Sequence, residues 1–503
     1  MTTKSVVRCV FGLLLLGIPA GIHAQRSEDL TAEQQLLQVM HSIESHVLYS
    51  WVDTLASERF SGRLTGTAGY NDAAEWVIEH FEEWGVEPAG DNGTYLQSFP
   101  NPYTLIFPGG ELYMHVPVRD GVVKKHYGYE TDYFPGSTSD SGEVTAEVVY
   151  VGYGITAPEL GYDDYAGLDV RGKIVVYEPE VPVSPRDDAD IFMKWRPYSF
   201  HQYKIENAVS HGAAGMIYDY HIVNPNNAFA EDFVYAVVSK AVVADIFAGT
   251  GEDHQETVEA IREELKPHSF ETGKVFTIKT VTEHHADGIG ANVVGVVPGT
   301  DPALANEPFL IGGHLDHLGM SHEMMPGAND NASAVSVAMA VAKALLESPV
   351  KPKRPIVFIL FGAEEQAVAG SRYYVENPIY PLENTVGFIN LESVGCGNII
   401  RAGSALNYPD LWSYVERANN QYVHRIVRPN ENANLPRPRQ DAAWFLWEGV
   451  PTISFGVSGA PSFYHNTHDN IETITPEILE DLAQIVFMSV IDLGDEEQLD
   501  LRN

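Results

Sequence analysis

With 503 residues, of which 44% are hydrophobic and 11% aromatic, the chain can bury a large α/β core together with an insertion, which sets intrinsic disorder aside. A formal net charge of −38 repels phosphate backbones and excludes nucleic acid from the expected partners. Two cysteines leave little room for a disulfide framework.

Taken in chain order, "MTTKSVVRCVFGLLLLGIPAGIHAQ" has a basic start at Lys4 and Arg8, a short apolar stretch and a small residue, Ala24, before Gln25. This is the pattern of a secretory leader over residues 1–24, and its apolar stretch falls short of the roughly 20 residues of a membrane span. The expected product is exported, to a bacterial periplasm or the extracellular space, without a membrane anchor. Cys9 would leave with the leader, so that Cys396 stands alone.

Apolar residues at helical spacing from Leu36 to Leu55 predict one amphipathic helix, and "NDAAEWVIEHFEEWGVEP" predicts a second, ended by Gly85. Residues 25–138 are expected to be the first part of a catalytic domain. From 139 to 284 the texture changes to β-rich runs, "EVTAEVVYVGYGI", "GKIVVYEP" and "KVFTIKTVTE", which predicts an inserted domain. From 285 to 503 strand and helix alternate, with strands in "PFLIGGH", "RPIVFILFG", "VGFINLE" and "VPTISFGV". That alternation predicts an α/β fold with a mixed, mostly parallel sheet flanked by helices.

Nearly every one of these strands hands over to a residue with metal-ligand chemistry. "LIGGHLDHLG" offers His314 and Asp316, "MPGANDNASAV" offers Asp330 at a helix start, and "FGAEEQ" offers Glu364 and Glu365. "INLESVG" adds Glu392, and "SFYHNTHDNIETI" adds His465 and His468. In open α/β sheets ligands bind beyond the carboxyl ends of the strands, so separate strand ends can deliver these groups to one place. One such residue is ordinarily a cap or a core group; five segments together point to a metal centre. Nitrogen and oxygen donors without cysteine favour catalytic zinc, with manganese or cobalt as substitutes, and the donor count suits two ions.

The ordered series "GGHLDH", "GANDNASA", "FGAEEQAVAGS", "INLES" and "YHNTHD" resembles the co-catalytic zinc aminopeptidases of clan MH, the family that includes glutamate carboxypeptidase. "SGRLTGTAGYNDAAEWV" resembles that family's N-terminal segment, and "GYGI", "DDYAGLDVRGKIVV" and "AVSHGAAGMI" resemble a protease-associated (PA) domain. The resemblance implies a zinc aminopeptidase (phosphorylase/hydrolase-like) fold with two Zn2+ ions acting on peptide or protein N-termini. Asp330 would bridge the ions, His314 and Glu392 would complete one site, and Glu365 and His465 the other. Glu364 would be the general base, Asp316 would orient His314, and Tyr464 would donate to the developing oxyanion. Many relatives carry Asp where Glu392 stands, and His468 rivals His465. His317 and His322 are expected near the site or on the surface.

A carboxypeptidase on the same ions is the nearest alternative and would need cations for a terminal carboxylate, for which Arg437 and Arg439 stand out. A glutaminyl-cyclase-like acyltransferase and a receptor-like binding protein are further alternatives; His314 beside Asp330 argues against the first, and the full ligand set with Glu364 against the second.

Overall fold

The computed structural model describes residues 30–226, 228–431, 439–499 and 501–502. The leader read over residues 1–24 and Arg437 lie outside the described residues.

Two large sheets organise the described chain. The first has nine strands, and its centre is a run of four parallel strands in the order 356–361, 309–314, 387–391, 452–458. Antiparallel strands flank them: Ile289–Val297 beside 356–361, and Ile399–Gly403 beside 452–458. The expected mixed sheet is therefore borne out, with the parallel character concentrated in the middle.

Side chains on these strands alternate between two apolar layers. Phe309, Ile311, Ile356, Phe358 and Leu360 face one layer, and Leu310, Val357, Ile359 and Phe361 face the other. The first layer is closed by the helices Ser333–Glu347 and Pro476–Asp495, the second by Ala369–Glu376 and Ala442–Trp447. Burial on both faces is why these strands read as continuous apolar runs.

The chain runs from strand 309–314 to 356–361 on one side, then returns to 387–391 on the other. Strand 309–314 thus marks a topological switch, and the crevice beyond its carboxyl end is where this architecture places a ligand.

Two helices, Ala32–His41 and Ser45–Leu55, stand where the periodicity predicted one. The break is anchored by Glu480, whose carboxylate accepts the Ser45 N–H at 2.7 Å. Both pieces pack on Pro476–Asp495, which keeps the apolar register across the break. The next helix, Ala68–Trp84, ends as expected on Gly85 with φ +88°.

The second sheet has eight strands. It uses the predicted runs Gly142–Tyr150, Ile174–Tyr177 and Phe270–Thr280, but also Glu111–Val118 and Gly121–His126. The sheet therefore begins before residue 139, the expected start of the insertion. One of its apolar layers takes in Leu318 and Met325 from the loop after strand 309–314, so the two units share packed side chains.

Candidate metal centre

Strand ends supply the cluster. His314 closes strand 309–314, Glu364 and Glu365 follow strand 356–361, and Glu392 follows strand 387–391. Asp330 precedes helix 333–347, and His465 follows strand 452–458.

These side chains converge. His314 Nε2 lies 3.2 Å from Asp330 Oδ1 and 3.5 Å from Glu392 Oε1. His465 Nε2 lies 3.0 Å from Glu365 Oε2 and 3.5 Å from Asp330 Oδ2. Asp330 thus turns one oxygen to each histidine. Glu364, Glu365 and His314 also have donor atoms within 4.8 Å of one another. His468 is exposed, and its backbone N–H is taken by Asn466.

The proton positions explain why this arrangement fits a cation. His314 Nδ1 lies 3.1 Å from the Asp316 carbonyl oxygen, and His465 Nδ1 lies 2.6 Å from that of Val223. A carbonyl only accepts, so each Nδ1 carries a proton, and Nε2 is the ring atom turned toward the carboxylate oxygens. His314 Nε2, His465 Nε2, both Asp330 oxygens and Glu392 Oε2 are buried without hydrogen-bond partners. Carboxylate oxygens gathered this closely around two ring nitrogens call for a positive charge among them, and a set of nitrogen and oxygen donors suits zinc.

The titration tendencies express the same demand. Burial opposes a charged His314, but Glu392, Asp316 and Asp330 outweigh it and hold its pKa well above the usual range. His465 is likewise raised to about 10 against burial, chiefly by Glu365. Glu365 is lowered to about 2 as His465 overcomes the cost of burial. Glu364 moves the other way: burial, reinforced by Glu392 and Glu365, raises it well above the ordinary carboxylate range.

Asp316 accepts the backbone N–H of Glu364 at 3.2 Å and of Glu365 at 3.3 Å. Its carboxylate is 3.6 Å from His314 Nδ1, farther than its own carbonyl. The side chain expected to hold the histidine therefore mainly holds the two glutamates. Tyr464 is half exposed and stacks on His465, with ring centroids 3.6 Å apart. Arg439 is 3.5 Å from Glu180 of the second unit.

Further residues support the cluster, most of them in roles that the sequence reading did not assign. His317 is fully buried, which excludes the surface alternative, and its Nδ1 holds Glu365 Oε1 at 2.9 Å. Gly327, at φ +59°, passes so close to the His317 ring that an added Cβ would lie 2.4 Å from it. Asp469 accepts the N–H groups of Asn329 and Asp330 at 3.0 and 2.9 Å, which fixes the Asp330 loop. Asp441 is buried with both oxygens unpartnered, and burial raises its pKa to about 8. The half-buried Cys396 follows Glu392 by four residues.

Arg63 is fully buried and donates to the carbonyls of Leu55, Leu315, Pro326 and Gly327. It ties the loop after His314 to the loop before Asp330. Arg63→Leu would orphan four buried acceptors at about 1–3 kcal/mol each. We expect urea unfolding of the metal-free protein to show a loss of at least about 3 kcal/mol; a loss below about 1 kcal/mol would mean that water replaces the guanidinium.

Left-handed backbone also gathers here, at Ala363 before Glu364, at Ser393 after Glu392 and at His465 itself. Each costs a non-glycine residue about 1–2 kcal/mol. Neighbouring bonds offset that cost: Ala363 N–H to Thr65 Oγ1 at 2.7 Å and Ser393 N–H to Asn331 Oδ1 at 2.9 Å.

Comparison with known proteins agrees with this geometry. Residues 292–490 match peptidase family M28. All five motif segments fall inside the M28 segment, and the resemblance read from them is borne out. An aminopeptidase of Pseudomonas aeruginosa is 24% identical over 467 residues, spanning 85% of this chain and 76% of its own. Aminopeptidase YwaD of Bacillus subtilis is 27% identical over 220 residues, 41% of this chain and 45% of its own.

Among solved structures, an aminopeptidase from Aneurinibacillus sp. strain AM-1 aligns with a TM-score of 0.63 at 21% identity, covering 93% of this chain and 98% of that one. A peptidase M28 precursor from Shewanella amazonensis SB2B aligns with a TM-score of 0.62 at 19% identity, covering 94% and 99%. At these identities the likeness is one of fold, and its extent takes in the second sheet as well as the M28 segment.

Proposed function

We propose that this chain is a two-zinc aminopeptidase that removes N-terminal residues from peptides. The observation that carries the reading is the set of buried, unpartnered donors on His314, Asp330, Glu392 and His465, to which Glu365 adds a carboxylate oxygen 3.0 Å from His465 Nε2. His314, Asp330 and Glu392 would hold one ion; Asp330, Glu365 and His465 would hold the other. Bound zinc supplies Lewis acidity and brings a water's pKa toward neutrality.

The protein's own groups do the rest. Glu364, held at its backbone by Asp316, takes the proton of the attacking water and returns it to the leaving amine. Tyr464, stacked on His465, can offer its hydroxyl to the oxyanion. His317 holds one oxygen of Glu365 so that the other faces His465.

The second-sheet unit is, in this reading, a PA domain inserted in the peptidase. Residues 1–24 would direct export to the periplasm or beyond. No helix among the described residues is long and apolar enough to cross a membrane.

Hydrolysis of a panel of aminoacyl-p-nitroanilides, each with and without an N-terminal block, tests the activity. Cleavage restricted to free-amine substrates is expected. Cleavage only of C-terminally free peptides would establish the carboxypeptidase, and zinc uptake without any hydrolysis would turn the reading to a binding protein.

A further inference from the structure

The second-sheet unit reaches into the metal centre. His465 Nδ1 donates to the carbonyl of Val223, in the segment that follows strand Gly215–Tyr218. A hydrogen bond at one ring nitrogen fixes the tautomer and orientation with which the other can ligate. Two residues beyond His465, the backbone N–H and the hydroxyl of Thr467 both donate to Glu130 Oε1, at 3.1 and 2.7 Å.

Glu130 stands between strands Gly121–His126 and Tyr133–Pro135 of the second sheet. A tight turn aims it: its backbone is left-handed, at φ 62°, and its N–H is held by the Tyr133 carbonyl at 2.9 Å. The adjacent Tyr129 stacks on His322, centroids 4.6 Å apart, and donates to the Ser321 carbonyl. The turn is thereby fastened to the loop that leaves His317. Since His465 is itself left-handed, the 464–468 turn needs such outside support.

We propose that Glu130 is a positioning residue for the His465 half of the metal centre. Its carboxylate holds the 464–468 turn so that His465 Nε2 faces Glu365 and Asp330. The ligand geometry of one ion then depends on Glu130, whose two bonds reach Thr467 on the His465 side of the centre. This inference rests on the two-ion reading above.

Zinc and Co2+ titrations of the metal-free full chain, by chelator competition and visible absorption, test it. Glu130→Ala is expected to bind one equivalent as the wild type does and to lose about 10- to 100-fold in affinity for the second. The Co2+ spectrum of the second equivalent alone should change. Glu130→Gln keeps an oxygen that accepts both Thr467 bonds and should restore binding. Thr467→Val, which removes only the hydroxyl, should shift affinity in the same direction by less.

Unchanged affinity in Glu130→Ala would overturn the proposal. So would equal weakening of both equivalents, or a fall in metal-free melting temperature shared by the Ala and Gln variants, since either reports a role in the fold alone. A wild-type chain that takes up no second equivalent would overturn the two-ion reading itself and is recognised from the wild-type titration.

Discussion

Glu364→Gln is expected to lower kcat by about 10²- to 10⁴-fold while zinc content stays at the wild-type level. Glutamine preserves the shape of the side chain and leaves the Glu364 backbone N–H on Asp316, so the loop carrying Glu365 stays in place. What disappears is a carboxylate that burial holds well above the usual pKa range. Such a group accepts a proton readily once ionised, the property a general base needs. Because it acts unprotonated, activity falls as pH drops through its pKa. KM should change far less than kcat, since proton transfer is a demand of the transition state. Steady-state kinetics beside elemental analysis would check this. Loss of zinc along with the rate would make Glu364 a ligand, and an unchanged rate would place the base elsewhere.

The second large effect concerns Asp330, whose two oxygens are divided between His314 and His465. Asp330→Asn removes the charge and one acceptor, so both halves of the site should weaken, each by at least about 100-fold, more than an outer partner typically contributes. The loop should survive, since Asp469 holds it through backbone N–H groups that the substitution leaves untouched. Zinc at 100 times its dissociation constant stabilises the native state by about 2.7 kcal/mol. Wild-type melting temperature should therefore rise with added zinc and that of Asp330→Asn should not. A variant that keeps one tight equivalent would show that the sites do not share Asp330.

What the sequence revealed here was whatever leaves a periodic or punctual trace. The central strands are buried on both faces, and their apolar runs lead into candidate ligands at His314, Glu365 and Glu392. The hairpin of the second sheet left no such trace. Strand Gly121–His126 is exposed at every residue, so nothing in its composition separates it from a loop. Strands Gly215–Tyr218 and Val234–Val238 are short and wholly buried, which hides the alternation that would mark them. Arg63 stood in a glycine-punctuated turn, where a cation ordinarily reads as solvated. Its four carbonyl partners lie up to 264 residues away, a relation that no local pattern encodes. Asp316 was legible as part of the site, but not as the clamp on Glu364 and Glu365, because that depends on backbone groups 48 and 49 residues away in sequence.

Helices Ala32–His41 and Ser45–Leu55 pack against Pro476–Asp495, and the Ser45 N–H is held by Glu480. These helices therefore complete their packing only when a segment 435 residues farther along the chain has been made. Contacts of such sequence separation close late and slowly. During synthesis this unit would remain incomplete until helix 476–495 emerged, with helices 32–41 and 45–55 covered only in part, by helix 333–347. A nascent chain cut short of residue 476 would carry every candidate ligand and still lack one of the two helices that close the sheet beneath them.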